Sequence, residues 1–403
     1  KIEKVPQKNL YEILSEKLYQ NSKNEFEIGN SSQILKITPP NVLVAPNEPI
    51  NAKNSGTSIR LMTALCSLIE GETTIIGEFF DRNRPIDPLI NALEQIGVKT
   101  QKIQLNDDSN RKQKGITIIS EEKPQTEKML IPGNISSQFI TALMFLAPKL
   151  APDTPNQGSK EDLTKNITKI VLTTPAKSYP YLKISENILS DFHIKFKRQF
   201  NKDLQGNYQI PANQSYNGQV YRIPGDFSSM AFPIVASAIS KARDTNAEHG
   251  SNPVLIQNLD LDSPQGDKEI VPILQRCGAN IEIYPKKKSI AIKTSGELKG
   301  FSHDCSQTPD LFPILTVLGV FCEGKTRIYN VKHVRIKETD RISVMVRELQ
   351  KMVSNIEENP DGVNISGPQN LRGCEIKHDD DHRIAMAMIV AALNAEGVST
   401  LDN

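Results

Sequence analysis

The sequence has 403 residues, which is more than one ordinary domain holds and predicts two. Hydrophobic residues make up 38% and charged residues 24%, as in a soluble globular protein, and the net charge of +1 excludes the strong field that attracts nucleic acid or an anionic membrane. No apolar run reaches the roughly 18 residues of a membrane span, and the five scattered cysteines form no C-x-x-C pair, so we expect a cytoplasmic protein without a disulfide framework.

A recurring pattern of helices and strands runs along the chain. Five segments have the pattern of helices that are apolar nearly all round, which predicts burial. They are GTSIRLMTALCSL (56–68), SSQFITALMFLA (136–147), SSMAFPIVASAI (228–239), DLFPILTVLGVFC (310–322) and DHRIAMAMIVAAL (381–393). A strand, a polar turn and an amphipathic helix follow one another in four further segments, which are 73–100, 169–196, 253–281 and 326–352. The helix starts recur at roughly 70 to 90 residues, which favours repeated supersecondary units within globular domains.

Small polar residues open the five apolar helices. They are Asn54 to Thr57, Ser136 to Gln138, Ser228 and Ser229, Asp310, and Asp381 to Arg383. Such residues are favoured helix caps, which explains each one singly. A helix start also presents free N–H groups and the positive end of the helix dipole, so several starts at one cleft would bind anions. The strand-to-helix turns add cations and a hydroxyl to the predicted cleft, and these residues are Arg84, Ser178, Lys337 and Arg341.

One of these turns concentrates opposite charges. RIKETDRI, from Arg335 to Ile342, joins a strand pattern to a helix pattern and holds five charged residues. Its carboxylates and cations can take part in acid–base chemistry, or they can pair with one another at a solvated turn. For Arg335 and Asp340 we expect structural pairing.

Seven motifs together resemble the 5-enolpyruvylshikimate-3-phosphate synthase family, also called 3-phosphoshikimate 1-carboxyvinyltransferases. They are NSGTSIR (54–60), RP (84–85), SSQFITAL (136–143), GDFSSM (225–230), PQGD (264–267), RIKETDRI (335–342) and DHRIAMA (381–387). Their order and spacing match the family over most of the chain. The combination of K-E-T-D-R with a downstream D-H-R is the most specific part, whereas N-S-G-T alone is a weak signal.

The resemblance implies an α/β (α+β) fold of two domains. In this enolpyruvyl transferase fold, an inverse α/β barrel, repeated βαβαββ units surround buried parallel helices whose starts face the cleft between the domains. We expect the domains to span residues 6–224 and 225–403, because a Pro224–Gly225 break precedes the third buried helix. Residues 1–5 are expected to add a strand to the second domain, and the first domain is expected to lack part of its start.

The resemblance also implies the reaction, which is transfer of the enolpyruvyl group of phosphoenolpyruvate to the 5-hydroxyl of shikimate 3-phosphate with release of phosphate. Asp310 matches the family's proton acceptor, and Glu338 matches the proton donor at the phosphoenolpyruvate methylene. Their alternative roles are a helix cap for Asp310 and an ion-pair partner of Arg341 or Lys337 for Glu338. Acid–base groups with a cation clamp need no metal or cofactor, and a monomer is expected.

Further residues match the family's binding sites. For shikimate 3-phosphate they are Ser136, Ser137, Gln138, Ser178, Asp310, His333 and Lys337. For phosphoenolpyruvate they are Gly56, Arg84, Gln138, Arg341 and Arg383. Supporting positions are Asn54, Thr57, Arg60, Tyr181, Asp381 and His382. The arginines suit this role because a guanidinium binds carboxylate and phosphate with paired hydrogen bonds.

Several positions depart from the family pattern. His333 stands where the family often has Asn, and Lys183 stands where an acidic residue is common near Tyr181. The family's N-terminal P-x-x-K-S loop has no counterpart before Asn54, and its C-terminal lysine has none either. We therefore expect either a fragment or a chain that has lost the loop.

Three alternatives remain open. The first is a truncated relative that binds substrate without turning it over. The second is the sister enzyme UDP-N-acetylglucosamine enolpyruvyl transferase, whose usual cysteine loop has no counterpart here. The third is a metal-dependent hydrolase, suggested by HDDDH (378–382), in which His378 and His382 have helical i,i+4 spacing with carboxylates between them.

Overall fold

A computed structural model describes residues 2–4, 35–40, 42–82, 84–106, 112–125, 128–151, 166–240, 253–293 and 296–402. The chain divides into two compact units, residues 1–45 and 46–403. In the first unit, strand β1 (Ile2–Lys4) pairs antiparallel with β2 (Leu35–Ile37). The expectation that residues 1–5 add a strand to the second domain stays a prediction.

The second unit begins with two repeats of one supersecondary pattern. The first repeat contains β3 (Ile50–Asn51), α1 (Gly56–Cys66), β4 (Gly71–Ile76), α2 (Asp87–Glu94), β5 (Lys99–Asn106) and β6 (Lys112–Ser120). The second contains β7 (Lys128–Ile131), α3 (Ser137–Leu146), β8 (Ile167–Leu172), α4 (Tyr179–Asp191), β9 (Lys197–Phe200) and β10 (Gly206–Pro211). Each repeat forms its own four-stranded sheet, in the orders β3-β4-β6-β5 and β7-β8-β10-β9.

The pattern continues to the end of the chain. The next elements are α5 (Phe227–Ile239), β11 (Val254–Ile256), α6 (Ile270–Arg276), β12 (Ile281–Tyr284) and β13 (Ser289–Ile292). Another repeat contains β14 (Ser302–Asp304), α7 (Phe312–Phe321), β15 (Gly324–Tyr329), α8 (Arg341–Gln350), β16 (Ile356–Asn359) and β17 (Gly362–Gly367). The last elements are β18 (Glu375–Ile376), α9 (His382–Ala392) and β19 (Thr400–Leu401).

The predicted βαβαββ unit is confirmed by the pairing of its strands. In three sheets the first strand is parallel to the second, and the second and third are each antiparallel to the fourth. The parallel pair requires a crossover, and α1, α3 or α7 supplies it. The helix that follows the second strand, which is α2, α4 or α8, makes the second connection.

The five apolar helices occupy the interior. In α7 every residue from Phe312 to Val320 is buried, which agrees with its uniformly apolar sequence. The helices α5, α7 and α9 contact one another, and α3 contacts both α1 and α4. Pro313 lies in the first turn of α7, where its missing N–H costs no hydrogen bond.

Two separate apolar cores lie within the second unit. The first contains buried side chains from Ile59 to Ala212, and the second contains those from Phe227 to Ala391. The predicted boundary at Pro224–Gly225 falls in the stretch that separates the two sets. The division of the chain into domains of 6–224 and 225–403 stays a prediction.

The helix caps were predicted in part. Ser55 and Ser136 cap α1 and α3, and Asp381 caps α9 by accepting a hydrogen bond from the N–H of Arg383. The expected opening of α5 at Ser228 was wrong, because Asp226 accepts from the N–H groups of Ser228 and Ser229 and is the cap. Asp310 lies in a short 3-10 turn before α7 and makes no capping bond.

Within the part of the chain that the structure describes, no helix combines the length and the apolar character required to cross a lipid bilayer.

Candidate active site

The starts of the buried helices meet around a cluster of charged side chains. Asp310 precedes α7, Asp381 caps α9, and Gly56 begins α1. A β-carbon at Gly56 would lie 2.5 Å from Nη2 of Arg84, so only glycine lets this guanidinium rest on the first turn of α1. The turn before α8 contributes the rest of the cluster, and the predicted convergence of helix starts is confirmed.

Arg341 is the centre of this cluster and is 1% exposed. Its Nε donates to Asp381 Oδ2 at 2.7 Å, its Nη1 to Asp310 Oδ1 at 2.9 Å, and its Nη2 to Glu338 Oε2 at 2.7 Å. A buried guanidinium needs such partners to offset its lost hydration. The three carboxylates raise the pKa of Arg341 against the opposing effect of burial, so it stays charged.

Glu338 joins the two halves of the second unit. Its second oxygen, Oε1, accepts from Nη2 of Arg84 at 2.8 Å, while Nη1 of Arg84 donates to the carbonyl of Asn54 at 3.1 Å. Arg84 also stacks on the ring of Phe79, 4.8 Å from its centroid. The alternative role of Glu338 as an ion-pair partner is thus present in this structure, with two arginines rather than one.

The arginines control the protonation of the two carboxylates with predicted catalytic roles. Burial acts to raise the pKa of Glu338, but Arg341 and Arg84 outweigh it and lower this pKa to about 2. Burial likewise opposes the effect of Arg383, Lys337 and Arg341 on Asp310, whose pKa lies well below its ordinary value. Both groups are carboxylates near neutral pH in this arrangement.

Gln138 links the starts of α3 and α1. Its Oε1 accepts from Nη1 of Arg60 at 2.6 Å, and its Nε2 donates to the hydroxyl of Thr57 at 2.8 Å. Arg60 is 3% exposed, and burial together with Arg84 lowers its pKa to about 9. Three predicted residues therefore form one hydrogen-bonded group.

The residues predicted for a phosphate group lie at two helix starts and one turn. Ser136 caps α3 and precedes Ser137, while Ser178 has a left-handed backbone (φ 55) directly before α4. Burial lowers the pKa of Lys337, and burial together with Lys337 lowers that of His333 to about 4. His333 is therefore neutral near pH 7, and its buried Nε2 has no hydrogen-bond partner among the described residues.

Arg383 and Tyr181 complete the group around Asp310. Nη2 of Arg383 lies 3.1 Å from Asp310 Oδ2, and the hydroxyl of Tyr181 lies 3.1 Å from the same oxygen. The hydroxyl is also 2.9 Å from Oδ2 of Asp267, a 1% exposed carboxylate. Sequence reasoning missed Asp267, although the PQGD motif (264–267) contains it.

The remaining residues of the charged turn have structural partners. Arg335 pairs with Asp340 at 2.7 Å, which confirms the expected pairing, and Asp340 also caps α8. The alternative in which His378 and His382 share a helix is not supported, because Asp381 caps α9 and the helix begins at His382, as the apolar-helix pattern predicts.

The two carboxylates between those histidines face arginines instead. Asp379 pairs with Arg347 at 3.1 Å, and Asp380 pairs with Arg82. His378 lies beside Asp402, whereas the side chain of His382 is exposed. Among the described residues, no group of three or more His, Cys, Asp or Glu side chains is arranged to hold a metal ion.

Solved structures with similar folds are enolpyruvyl transferases. The EPSP synthase of Acinetobacter baumannii superposes with a TM-score of 0.64 at 24% identity, over 89% of this chain and 75% of the other. The enolpyruvyl transferase NikO from Streptomyces tendae gives 0.60 at 15% identity, over 86% and 71%. The fold is therefore that of an enolpyruvyl transferase.

Sequence comparison narrows this class to one family. Residues 22–403 match the family model for EPSP synthase (3-phosphoshikimate 1-carboxyvinyltransferase). The 3-phosphoshikimate 1-carboxyvinyltransferase of Methanococcus vannielii is 36% identical over 89% of this chain and 76% of its own length. That of Methanocaldococcus jannaschii is 37% identical over 89% and 76%. The chain belongs to the EPSP synthase family.

Proposed function

We propose that this protein transfers the enolpyruvyl group of phosphoenolpyruvate to the 5-hydroxyl of shikimate 3-phosphate. The products are 5-enolpyruvylshikimate 3-phosphate and phosphate, a step of the shikimate pathway toward chorismate and the aromatic amino acids. Family membership supports the reaction. The observation that carries the assignment of roles is the carboxylate of Glu338 held between Arg84 and Arg341.

Phosphoenolpyruvate binds where arginines now hold carboxylates. Arg84, Arg341 and Arg383 present guanidinium groups, and each of them contacts Glu338 or Asp310. The carboxylate and phosphate of the substrate offer the same hydrogen-bond acceptors with more charge, so binding exchanges one set of anions for another. Gly56 leaves the backbone of α1 open to a ligand beside Arg84, and Gln138 reaches the same region through Arg60.

This exchange changes the protonation of Glu338. Arg341 and Arg84 are the cations that lower its pKa. When the anionic substrate takes their hydrogen bonds and adds its own negative charge, the pKa of Glu338 rises. A carboxylic acid then stands beside the substrate, where it protonates the methylene carbon of phosphoenolpyruvate.

Shikimate 3-phosphate occupies the other side of the cluster. Ser136, Ser137 and Ser178 lie at helix starts, which suit its phosphate. Lys337 supplies a cation, and neutral His333 can donate a hydrogen bond from its ring. Asp310 takes the proton of the 5-hydroxyl as the oxygen attacks. Asn54, Thr57, Arg60, Asp381 and His382 are assigned supporting positions.

The protein's own residues supply both proton transfers and charge stabilisation, so we propose no cofactor. We also propose a cytoplasmic monomer. All five cysteines are free thiols, and four of them are buried, as suits a reducing compartment. The residues of the charged cluster all come from one chain, so a second copy is not needed to build it.

The deciding experiment is phosphate release measured with both substrates together and with each alone. Release that requires both supports the transfer, and mass spectrometry should then show the enolpyruvyl product. Calorimetric binding of shikimate 3-phosphate without release would leave a binding relative that does not turn over. UDP-N-acetylglucosamine serves as the control acceptor, and release with it instead would assign the sister activity.

A further inference from the structure

Asp310, which takes the proton of the 5-hydroxyl under the proposed function on which this inference rests, binds that proton only weakly. Arg341, Arg383 and Lys337 surround Asp310 and stabilise its charged form. An efficient acceptor has a pKa near the working pH, and Asp310 lies far below it. A second group must therefore hold the proton if transfer from the 5-hydroxyl is to be favourable.

A second carboxylate lies one hydroxyl group away. The oxygen of Tyr181 is 3.1 Å from Asp310 Oδ2 and 2.9 Å from Asp267 Oδ2. A phenol has a single proton, so it donates to one of the two carboxylates and can accept from the other when that one is protonated. Tyr181 is therefore the bridge of a three-membered chain of oxygen atoms.

Asp267 has the surroundings of a proton acceptor rather than those of an ion-pair partner. It is 1% exposed, and its hydrogen-bond donors are two hydroxyls, those of Tyr181 and of Ser228 at 2.5 Å. Its other oxygen, Oδ1, has no partner among the described residues. Burial and the nearby charge of Asp310 raise the pKa of Asp267 to about 6.

We infer that Asp267 holds the proton removed from the 5-hydroxyl, which reaches it from Asp310 through the hydroxyl of Tyr181. The substrate O–H bond breaks as a bond to Asp310 forms. Asp310 then passes a proton to the oxygen of Tyr181 while the phenol proton moves to Asp267. Tyr181 is a neutral phenol before and after, and Asp267 changes from carboxylate to carboxylic acid. Asp267 acts on the substrate only through Tyr181, so its role is to position and hold this proton and not to contact the reacting atoms.

Each element packed against Asp267 places a charged or titratable group beside it. These groups are Tyr181 on α4, Asp310 before α7, Arg383 on α9 and the thiol of Cys305 after β14. Burial and the two carboxylates hold the pKa of Tyr181 well above its ordinary value, and burial raises that of Cys305, so both are neutral near pH 7. The phosphate of the substrate also titrates near pH 6, so the part of the acid limb that reports Asp267 is the part that its variant loses.

The test compares kcat/KM for shikimate 3-phosphate against pH in the whole protein and four variants. The unchanged protein should lose rate as pH falls through about 6. Asp267→Asn and Tyr181→Phe should each lower the plateau by about 10- to 100-fold and remove the part of this limb that Asp267 contributes. The double variant should lose no more rate than either single variant. Ser228→Ala removes a hydrogen bond to the carboxylate, so its limb should move to higher pH.

A second measurement that does not require turnover keeps the inference testable if a variant loses activity. Difference infrared spectra between about pH 5 and pH 8 should show a carboxylic acid band that Asp267→Asn lacks. A wild-type profile in both Asp267→Asn and Tyr181→Phe would overturn the inference, as would an unchanged infrared band. Absence of phosphate release by the unchanged protein would reject the proposed function instead, and the infrared result would still decide the protonation of Asp267.

Discussion

Arg84 donates a hydrogen bond to Glu338 at 2.8 Å, although the two residues are 254 positions apart in the chain. Their side chains are 3% and 15% exposed. The pair connects the two apolar cores at the point where both substrates are proposed to meet. The charges of these two side chains are thus paired before any ligand arrives, and in the proposed function substrate binding begins with an exchange of these partners.

Replacing Glu338 by Gln should abolish most turnover and leave binding intact. Loss of a positioned acid–base group lowers rates by about 10²- to 10⁴-fold. The amide also leaves Arg84 and Arg341 with less negative charge, so inorganic phosphate should bind at least as tightly as before. The measurements are kcat, calorimetric phosphate binding and melting temperature.

Glu358→Gln is the matched control for this change, because Glu358 pairs with Arg335 beside the same turn and is more exposed. A normal kcat with a slightly lowered melting temperature in Glu338→Gln would reduce the residue to an ion-pair partner.

Lys337→Ala should weaken binding of shikimate 3-phosphate by roughly 10- to 100-fold, the range expected for one lost hydrogen bond to a charged group. Phosphoenolpyruvate should lose less, because the arginines are assigned to it. Calorimetry with each ligand measures both effects. Lys332→Ala, in the same turn but exposed, is the control. Equal losses for both ligands would place Lys337 in a general electrostatic role.

Gly56→Ala should raise KM for phosphoenolpyruvate. The added β-carbon would meet Nη2 of Arg84 at 2.5 Å and Cζ at 2.9 Å, which displaces the guanidinium from the helix start. We expect an increase of about tenfold with little change in KM for shikimate 3-phosphate. Gly218→Ala, where a β-carbon would meet nothing within 4 Å, is the control. Parallel increases for both substrates would contradict the assignment of this side of the cleft.

Stability should depend on Glu338 at acidic pH. Its pKa falls from an ordinary 4.5 to about 2 on folding, so its contribution is complete above about 4.5 and is lost as pH falls toward 2. The free energy of unfolding in urea should therefore drop more between about pH 5 and pH 3 in the unchanged protein than in Glu338→Gln. Identical drops would mean that the carboxylate is unpaired in solution.

The two apolar cores predict two domains that fold separately. Segments 46–224 and 225–403, produced alone, should each unfold cooperatively, because each retains one complete set of buried side chains. A division inside α7, at Leu315, should abolish cooperative unfolding of the second segment and serves as the control. If the segment 225–403 unfolds without a cooperative transition, the boundary at Pro224–Gly225 is wrong.

Local features were predictable from the sequence, and distant contacts were not. The apolar patterns of α3 and α7 gave their burial, and Ser136 was an expected cap, because both depend on neighbours within a few residues. The contact between Tyr181 and Asp267 spans 86 positions, and no local pattern specifies it. The position of Asp267 depends on how two repeats pack together.

The errors have physical causes of the same kind. The metal-site alternative needed His378 and His382 on one helix, but Asp379 and Asp380 between them have left-handed backbones (φ 50 and 57) and precede α9. Asp226 was overlooked as a cap because Ser228 and Ser229 are also good capping residues, and only the backbone shows which side chain accepts.

Each four-stranded sheet contains strands from one repeat alone, so strand pairing in these sheets is confined to single repeats. Among the described strands, no ladder of backbone hydrogen bonds joins one four-stranded sheet to the next, so these repeats meet chiefly through side-chain packing. A strand that pairs out of register during folding cannot pass its error to the next sheet. Such a chain can correct one repeat while the others keep their pairing, which limits the damage from a single misfolded segment.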